Sequence, residues 1–327
     1  MSQGEKYYGG YFWVAVISFI VPLAVAWKAF DRVQPTTKPT PVLDASGVDH
    51  AVWDYLLKSY VSSGLVDYEG IKKDYLFHEY IRQLGSCDPE CLETEDAKLA
   101  LASNAYNAFV INGVVSHKIK DNVLNFKLDE TGFFDIPEHI YAGKTISLNQ
   151  LEHEMIRPTY GEPRIHVSLV CAARSCPSIR PEAYTGDRVR EQMQDQSVQF
   201  AGNPTYVHFD KQKNELQINP ILEWYGEDWD AKYNQGSYLQ WLDELTNDQD
   251  LKDAIAKAIA FTAAAPTTEN GVVNAAAIKD AFEEIPEGQF RIAFNTYDWS
   301  LNSQKESSGS SSGGGGGEFG SGASPDQ

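Results

Sequence analysis

Two of the four cysteines and two of the seven histidines fall within one stretch, Ser147 to Tyr184 (SLNQLEHEMIRPTYGEPRIHVSLVCAARSCPSIRPEAY). A thiol becomes a nucleophile when a neighbouring histidine or helix N-terminus lowers its pKa. Cys171 and Cys176 are therefore candidate nucleophiles, with His166 and His153 as candidate bases. From Arg164 to Cys171, Ile165, Val167 and Leu169 alternate with His166, Ser168 and Val170. That is the period-two pattern of a strand with one apolar face, and it predicts a central strand. On a regular strand His166 and Cys171, five residues apart, point to opposite faces, so a productive pair needs a bulge or turn between them. Cys176 lies on the CAARSCP loop that Pro177 closes, and is freer. Against chemistry stand two plainer readings: a lone strand-borne histidine is a hydrogen-bonded structural group, and a buried cysteine is a small hydrophobe.

The cysteines admit other uses. Cys87 and Cys91, four apart in GSCDPEC, can close one local disulfide and Cys171 with Cys176 another, or the pairs can cross-link, which gives three connectivities. Disulfides demand an oxidising compartment. A four-cysteine zinc site ranks lowest because neither spacing is C-x2-C, and no metal or cofactor is expected. No phosphate-binding or dinucleotide glycine motif follows a strand and opens a helix.

The elements that must position these groups are mostly helices. Asp49 to Ser62, Tyr75 to Leu84, Asp187 to Ala201, Tyr238 to Leu245, Leu251 to Ala265 and Ala275 to Glu284 have helical spacing, and Ser147 is the N-cap candidate of a short helix carrying Leu148, Leu151 and Met155 on one face. Glu95 to Val115 is apolar nearly all round, the mark of a buried helix. Its Asn104, Asn107 and Asn112 then lie in low dielectric, where each amide needs partners. They either tie loops to the helix or, at Asn104 and Asn107, face a ligand together with Tyr106. Thr205 to Phe209 and Glu215 to Ile218 read as a hairpin about Lys211 to Asn214. The fold class is α+β: helices around a small, mostly antiparallel sheet, preceded by one transmembrane helix.

LEHEMIR followed by RIHVSLVCAARSCPSIRPEAY, with VDYEGIK at 66–72, ASNAYNAFVING at 102–113, NPILEWYGEDW at 219–229 and YDWSLN at 297–302, resembles the family catalogued as domain of unknown function 547. The blocks keep the family's order across residues 50–302. That family is similar, at a distance, to the papain-like and transglutaminase-like superfamily, in which a cysteine at a helix start faces a histidine on a strand. The resemblance implies His166 as that histidine. The preceding helix offers Asn104, Tyr106 and Asn107 and no cysteine, so the nucleophile position is empty unless Cys171 or Cys176 fills it.

Phe12 to Trp27 is uncharged and apolar, and extended to Phe30 it approaches the ~20 residues that a bilayer span needs. Glu5 beside Lys6 suits a signal peptide poorly, which favours an uncleaved anchor. Lys28, Arg32 and Lys38 outnumber Lys6, which places the main domain on the cytoplasm-like side of a membrane. The organisation expected is an N-terminal tail (1–11), a transmembrane anchor (12–30), a Pro/Thr-rich linker (31–48), the main domain (49–302) and a disordered Ser/Gly-rich tail (303–327). A net charge of −19 with scattered basic residues excludes nucleic acid as a partner. Arg157, Arg164, Arg174 and Arg180 read as ordinary surface charge rather than an anion site.

Two functions remain. One is a membrane-anchored binding or accessory module that takes a peptide, a small ligand or a membrane complex, with Asn104, Tyr106, His153 and Arg174 as contacts. The other is a papain-like hydrolase or acyltransferase using Cys176 or Cys171, His166 as base and Asn107 as orienting group or oxyanion donor. The missing helix-start cysteine favours the module.

Overall fold

The computed structural model describes residues 37–40, 42–233, 238–264 and 288–304. The helices between His50 and Ser116 begin where the sequence supplies an acceptor for the unpaired first-turn N–H groups. Asp49 accepts from Ala51 and Val52 at the head of α1 (His50–Tyr60), and Asp67 from Gly70 in the short α2 (Tyr68–Ile71). Asp74 caps α3 (Tyr75–Ser86), and Thr94 caps α4 (Glu95–Ser116), whose first turn carries Glu95 and Asp96. α1, α3 and α4 are the helices that the spacing predicts, to within a residue or two; the short α2 is not foreseen. Residues Leu99 to Ile111 of α4 are all buried, and the helix packs against α3, the 150–156 turn and α6 (Val189–Ala201). It is the central post of the domain.

The strands are short and do not make one sheet. β1 (Val61–Ser62) and β2 (Leu65–Val66), β3 (Lys127–Leu128) and β4 (Thr131–Gly132), and β5 (His139–Tyr141) and β6 (Lys144–Ile146) form three separate antiparallel hairpins. Each closes on two residues of positive φ, Ser63–Gly64, Asp129–Glu130 and Ala142–Gly143, the twist-matched two-residue loop. The predicted fourth hairpin, β7 (Val207–Asp210) with β8 (Glu215–Ile218), is present, and β9 (Arg291–Phe294) adds to β8 in parallel. The α+β class stands, with four small sheets and one parallel pair among the described residues.

The remaining helices are α5 (Arg157–Tyr160), α7 (Ile221–Trp224), α8 (Gly226–Tyr233), α9 (Tyr238–Leu245) and α10 (Gln249–Ala264). The packed region starts slightly ahead of residue 49: Val48 is fully buried, and Asp49 accepts from the Val42 N–H. At the other end Ser303 and Gln304 are held against β2. The predicted 12–30 anchor, the 1–11 tail, the helix at 275–284 and the tail beyond 304 lie outside the described residues. Among the described residues no helix is long and apolar enough to cross a membrane.

One element is corrected. Arg164 to Cys171 is not a strand: Pro163–Val167 is a 3-10 turn. Pro163 has no N–H to give a ladder and suits the first turn of a helix, and the Glu162 carboxylate accepts from the Arg164 N–H. Ile165 through Val170 are buried on every side, so the apolar alternation sorts no faces. In place of a neighbouring strand the segment pairs with a side chain: Asn107 Nδ2 donates to the Ser168 carbonyl (3.1 Å), and the Val170 N–H donates to Asn107 Oδ1 (3.0 Å).

Candidate functional site

The predicted N-cap at Ser147 forms, as a reciprocal box. Its hydroxyl accepts from the Gln150 N–H (3.1 Å), and Gln150 Oε1 accepts from the Ser147 N–H (3.0 Å). The turn it opens, Gln150–Ile156, is π-helical, and the Arg157 N–H reaches the Glu152 carbonyl, five residues back. Pro158 follows, and it would collide with the fourth carbonyl behind it in a regular α-helix. Leu148 and Leu151 anchor the inner side, and Glu152 is buried with them.

Glu152 begins a chain of charged groups. Glu152 Oε1 lies 3.5 Å from His166 Nδ1, and His166 Nε2 is 2.6 Å from Asp228 Oδ2. Arg157 grips Asp228 with two bonds, Nε to Oδ2 (2.9 Å) and Nη2 to Oδ1 (3.1 Å), and reaches Glu227 as well. The Tyr225 ring stacks flat on His166, with centroids 4.0 Å apart. Burial works against the charge of Glu152, yet the His166 and His153 rings and the Tyr106 hydroxyl hold its pKa below the usual glutamate range. Burial likewise opposes charge on Asp228, and its bonds to His166 and Arg157 outweigh it, so its pKa is lowered too.

Beside this chain lies a narrow cleft of about 30 Å³. Glu152, His166, Cys171 and Cys176 line it, and Tyr106, Trp224, Tyr225, Tyr297 and Trp299 supply aromatic wall. Tyr297, Trp224 and Trp299 pack on one another with centroids 4.6 to 6.1 Å apart. The 171–176 loop is fixed from behind by residues 298–302, which pair with Ala172, Arg174 and Ser175 through main-chain bonds.

All four cysteines are free thiols, so the disulfides proposed as one reading of the sequence are not formed. The Cys171 N–H donates to Cys176 Sγ (2.9 Å), and Cys171 Sγ meets the Tyr297 hydroxyl at 3.1 Å. Burial, with Cys171 beside it, pushes the Cys176 thiol well above its ordinary pKa. Among the described residues no hydrogen bond joins His166 to either thiol.

The residues singled out from sequence divide accordingly. Cys171, Cys176, His166 and Tyr106 meet at the cleft. Asn107 is spent on the backbone of Ser168 and Val170 and is not available as an oxyanion donor. Asn104 makes the same clamp on Tyr184, donating to its carbonyl (2.8 Å) and accepting from its N–H (2.9 Å). Tying loops to α4 is the role of both. His153 accepts from Arg157 (2.9 Å) behind Tyr225 and is not on the cleft wall. Arg174 is exposed on the thiol loop. Arg157, Arg164 and Arg180 are each paired with carboxylates, which leaves no shared anion site among them.

Glu152, Asp228, Trp224, Tyr225, Tyr297 and Trp299 were not singled out from sequence. One signal was present: Glu152 follows Leu148 by four residues and so shares its apolar face.

Residues 89–201 match the model of the family described as "Protein of unknown function, DUF547". Those residues belong to DUF547. The DUF547 segment contains α4, the π turn, His166, both cleft thiols and α6. Asp228, Tyr225 and the aromatic wall lie beyond it and complete the cleft. Neither the curated proteins nor the solved structures compared contain a match to the chain.

Proposed function

We propose that the domain is a binding module whose cleft receives the basic side chain of a peptide and performs no thiol chemistry on it. The surroundings of His166 carry this reading. Its two ring nitrogens face Asp228 and Glu152, and its ring face is covered by Tyr225. Neither thiol therefore has a base within hydrogen-bond reach, which nucleophilic catalysis by cysteine requires. The aromatic wall and the anionic Glu152 instead favour a cation, which gains from ring faces as well as from the carboxylate. The acidity of the whole chain, −19 in formal charge, steers the same ligand inward. Residues 12–30 tether the module to a membrane, a role that the uncharged apolar run from Phe12 to Trp27 supports.

Titrating the full chain in detergent with short lysine-, alanine- and glutamate-bearing peptides, read by tryptophan fluorescence, tests the cleft. Saturable binding of the lysine peptide alone, weakened by salt and lost in Trp299→Ala and Glu152→Gln, is expected; equal response to all three peptides refutes it. Alkaline extraction of membranes checks the tether: the full chain stays in the pellet, and a chain lacking 12–30 is released.

A papain-like hydrolase is the second reading, favoured by the 2.6 Å bond that orients His166 and by Cys171 on the same cleft. Acylation of Cys171 by an activated ester, abolished in His166→Ala, would replace the first reading with this one.

A further inference from the structure

Cys171 and Cys176 are joined by more than a shared cleft. A left-handed Ala172 (φ 59°) and a turn in which the Cys176 N–H returns to the Ala173 carbonyl (3.2 Å) fold the loop back on itself. The second thiol therefore receives the backbone N–H of the first at 2.9 Å, which sets the two cysteines side by side. The Tyr297 hydroxyl meets Cys171 Sγ at 3.1 Å. Their environments differ: Cys171 is partly exposed at the cleft, whereas Cys176, on the same wall, is buried. Cys91, on the outside of the domain, has no second thiol beside it, and Cys87 is buried with its thiol directed at the Leu84 carbonyl.

From this pairing we propose that Cys171 and Cys176 are a reversible dithiol–disulfide couple, oxidised by exchange with a low-molecular-weight disulfide that enters the cleft. Cys171, as thiolate, attacks one sulfur of the entering disulfide and forms a mixed disulfide, and one small thiol leaves. Cys176 then gives up its proton and attacks the sulfur of Cys171, and the second small thiol departs with that proton. Two protein thiols and one small disulfide thus become one protein disulfide and two small thiols, with no other oxidant needed. The asymmetry suits the order of events, because the entering molecule reaches Cys171 while the buried Cys176 resolves the intermediate. Closure also replaces a buried ionisable group with an uncharged bond.

The test uses the full chain with Cys91→Ser, which removes the outer thiol and leaves the cleft untouched. The reduced protein is exposed to glutathione disulfide and weighed by mass spectrometry. The expected product has lost two hydrogen atoms and carries no glutathione. Trypsin then yields fragments 165–174 and 175–188 linked to each other, since cleavage after Arg174 separates the two cysteines, and dithiothreitol releases them. A glutathione adduct that persists on Cys171 while Cys176 remains a thiol overturns the proposal. So does an unmodified pair under conditions in which Cys91 of the unsubstituted chain reacts fully. No peptide ligand is present in this experiment, so its failure is distinct from a failure of cleft binding.

Discussion

Replacing Asn107 by alanine removes two buried hydrogen bonds at once, and the structure fixes what each loss leaves behind. The Ser168 carbonyl keeps a long bond from the Tyr184 hydroxyl (3.4 Å), so it is weakened but not stranded. The Val170 N–H has no such substitute and is left unpaired in the core. A buried orphan costs about 1 to 3 kcal/mol and a net hydrogen bond about 1 kcal/mol, so a loss of about 3 kcal/mol is expected. For a domain of this size that lowers Tm by roughly 6 to 12 °C. Urea unfolding followed by tryptophan fluorescence measures it, with an unchanged m-value as the sign that stability alone moved. Asn107→Asp sharpens the test. The carboxylate still accepts from Val170 but opposes the Ser168 carbonyl, and once protonated it can donate again. Its deficit relative to the unsubstituted protein therefore shrinks as pH falls toward 4. A deficit below about 0.5 kcal/mol for Asn107→Ala, with no pH dependence for Asn107→Asp, would refute the clamp.

Three further outcomes follow from single contacts. Burial, with His117 beside it, lowers the His139 pKa to about 4; because the unfolded chain takes up that proton near pH 6.5, stability is full above that pH and declines toward 4, by up to about 3 kcal/mol. His139→Phe, which keeps the stack on Phe109, should flatten that limb in pH-dependent urea melts. Asp228 has a lowered pKa and so contributes stability above the ordinary aspartate range that is lost on acidification. Asp228→Asn should lower stability at neutral pH and soften the acid limb below about pH 4, leaving the His139 limb in place. At Gly113 an added Cβ would sit 2.8 Å from the buried Phe133 ring, so Gly113→Ala should destabilise by about 1 to 3 kcal/mol instead of gaining helix propensity, and paired Phe133→Leu should recover part of the loss in thermal melts.

The helices were legible because their signals are local: the apolar spacing over 49–62 and 75–84 announces two of them, and the all-round apolar stretch of α4 announces burial. The plain reading of Asn104 and Asn107 held for the same reason, since a buried amide must find partners, whereas Asn112 is only half-buried. Which partners was not legible, because Ser168 and Tyr184 lie 61 and 80 residues further along. The 164–171 segment misled because alternation implies two faces only where one of them meets solvent. The cleft was half visible. Its thiols and His166 stand out by type, but Glu152 and Asp228 look like any surface carboxylate until the fold brings them to the two nitrogens of one ring.

The residues at 297–302 bear on how the domain can be made. They supply two rings of the cleft wall and fasten the thiol loop, and Asn302 accepts from the Tyr68 hydroxyl, 234 positions upstream (2.6 Å). During synthesis α1 through α4 can form their local contacts early, but the cleft stays without a wall until almost the whole described chain has left the ribosome. Until then both thiols and the aromatic wall lack their cover, so the nascent chain is open to oxidation and to sticking at the site that residues 297–302 later close.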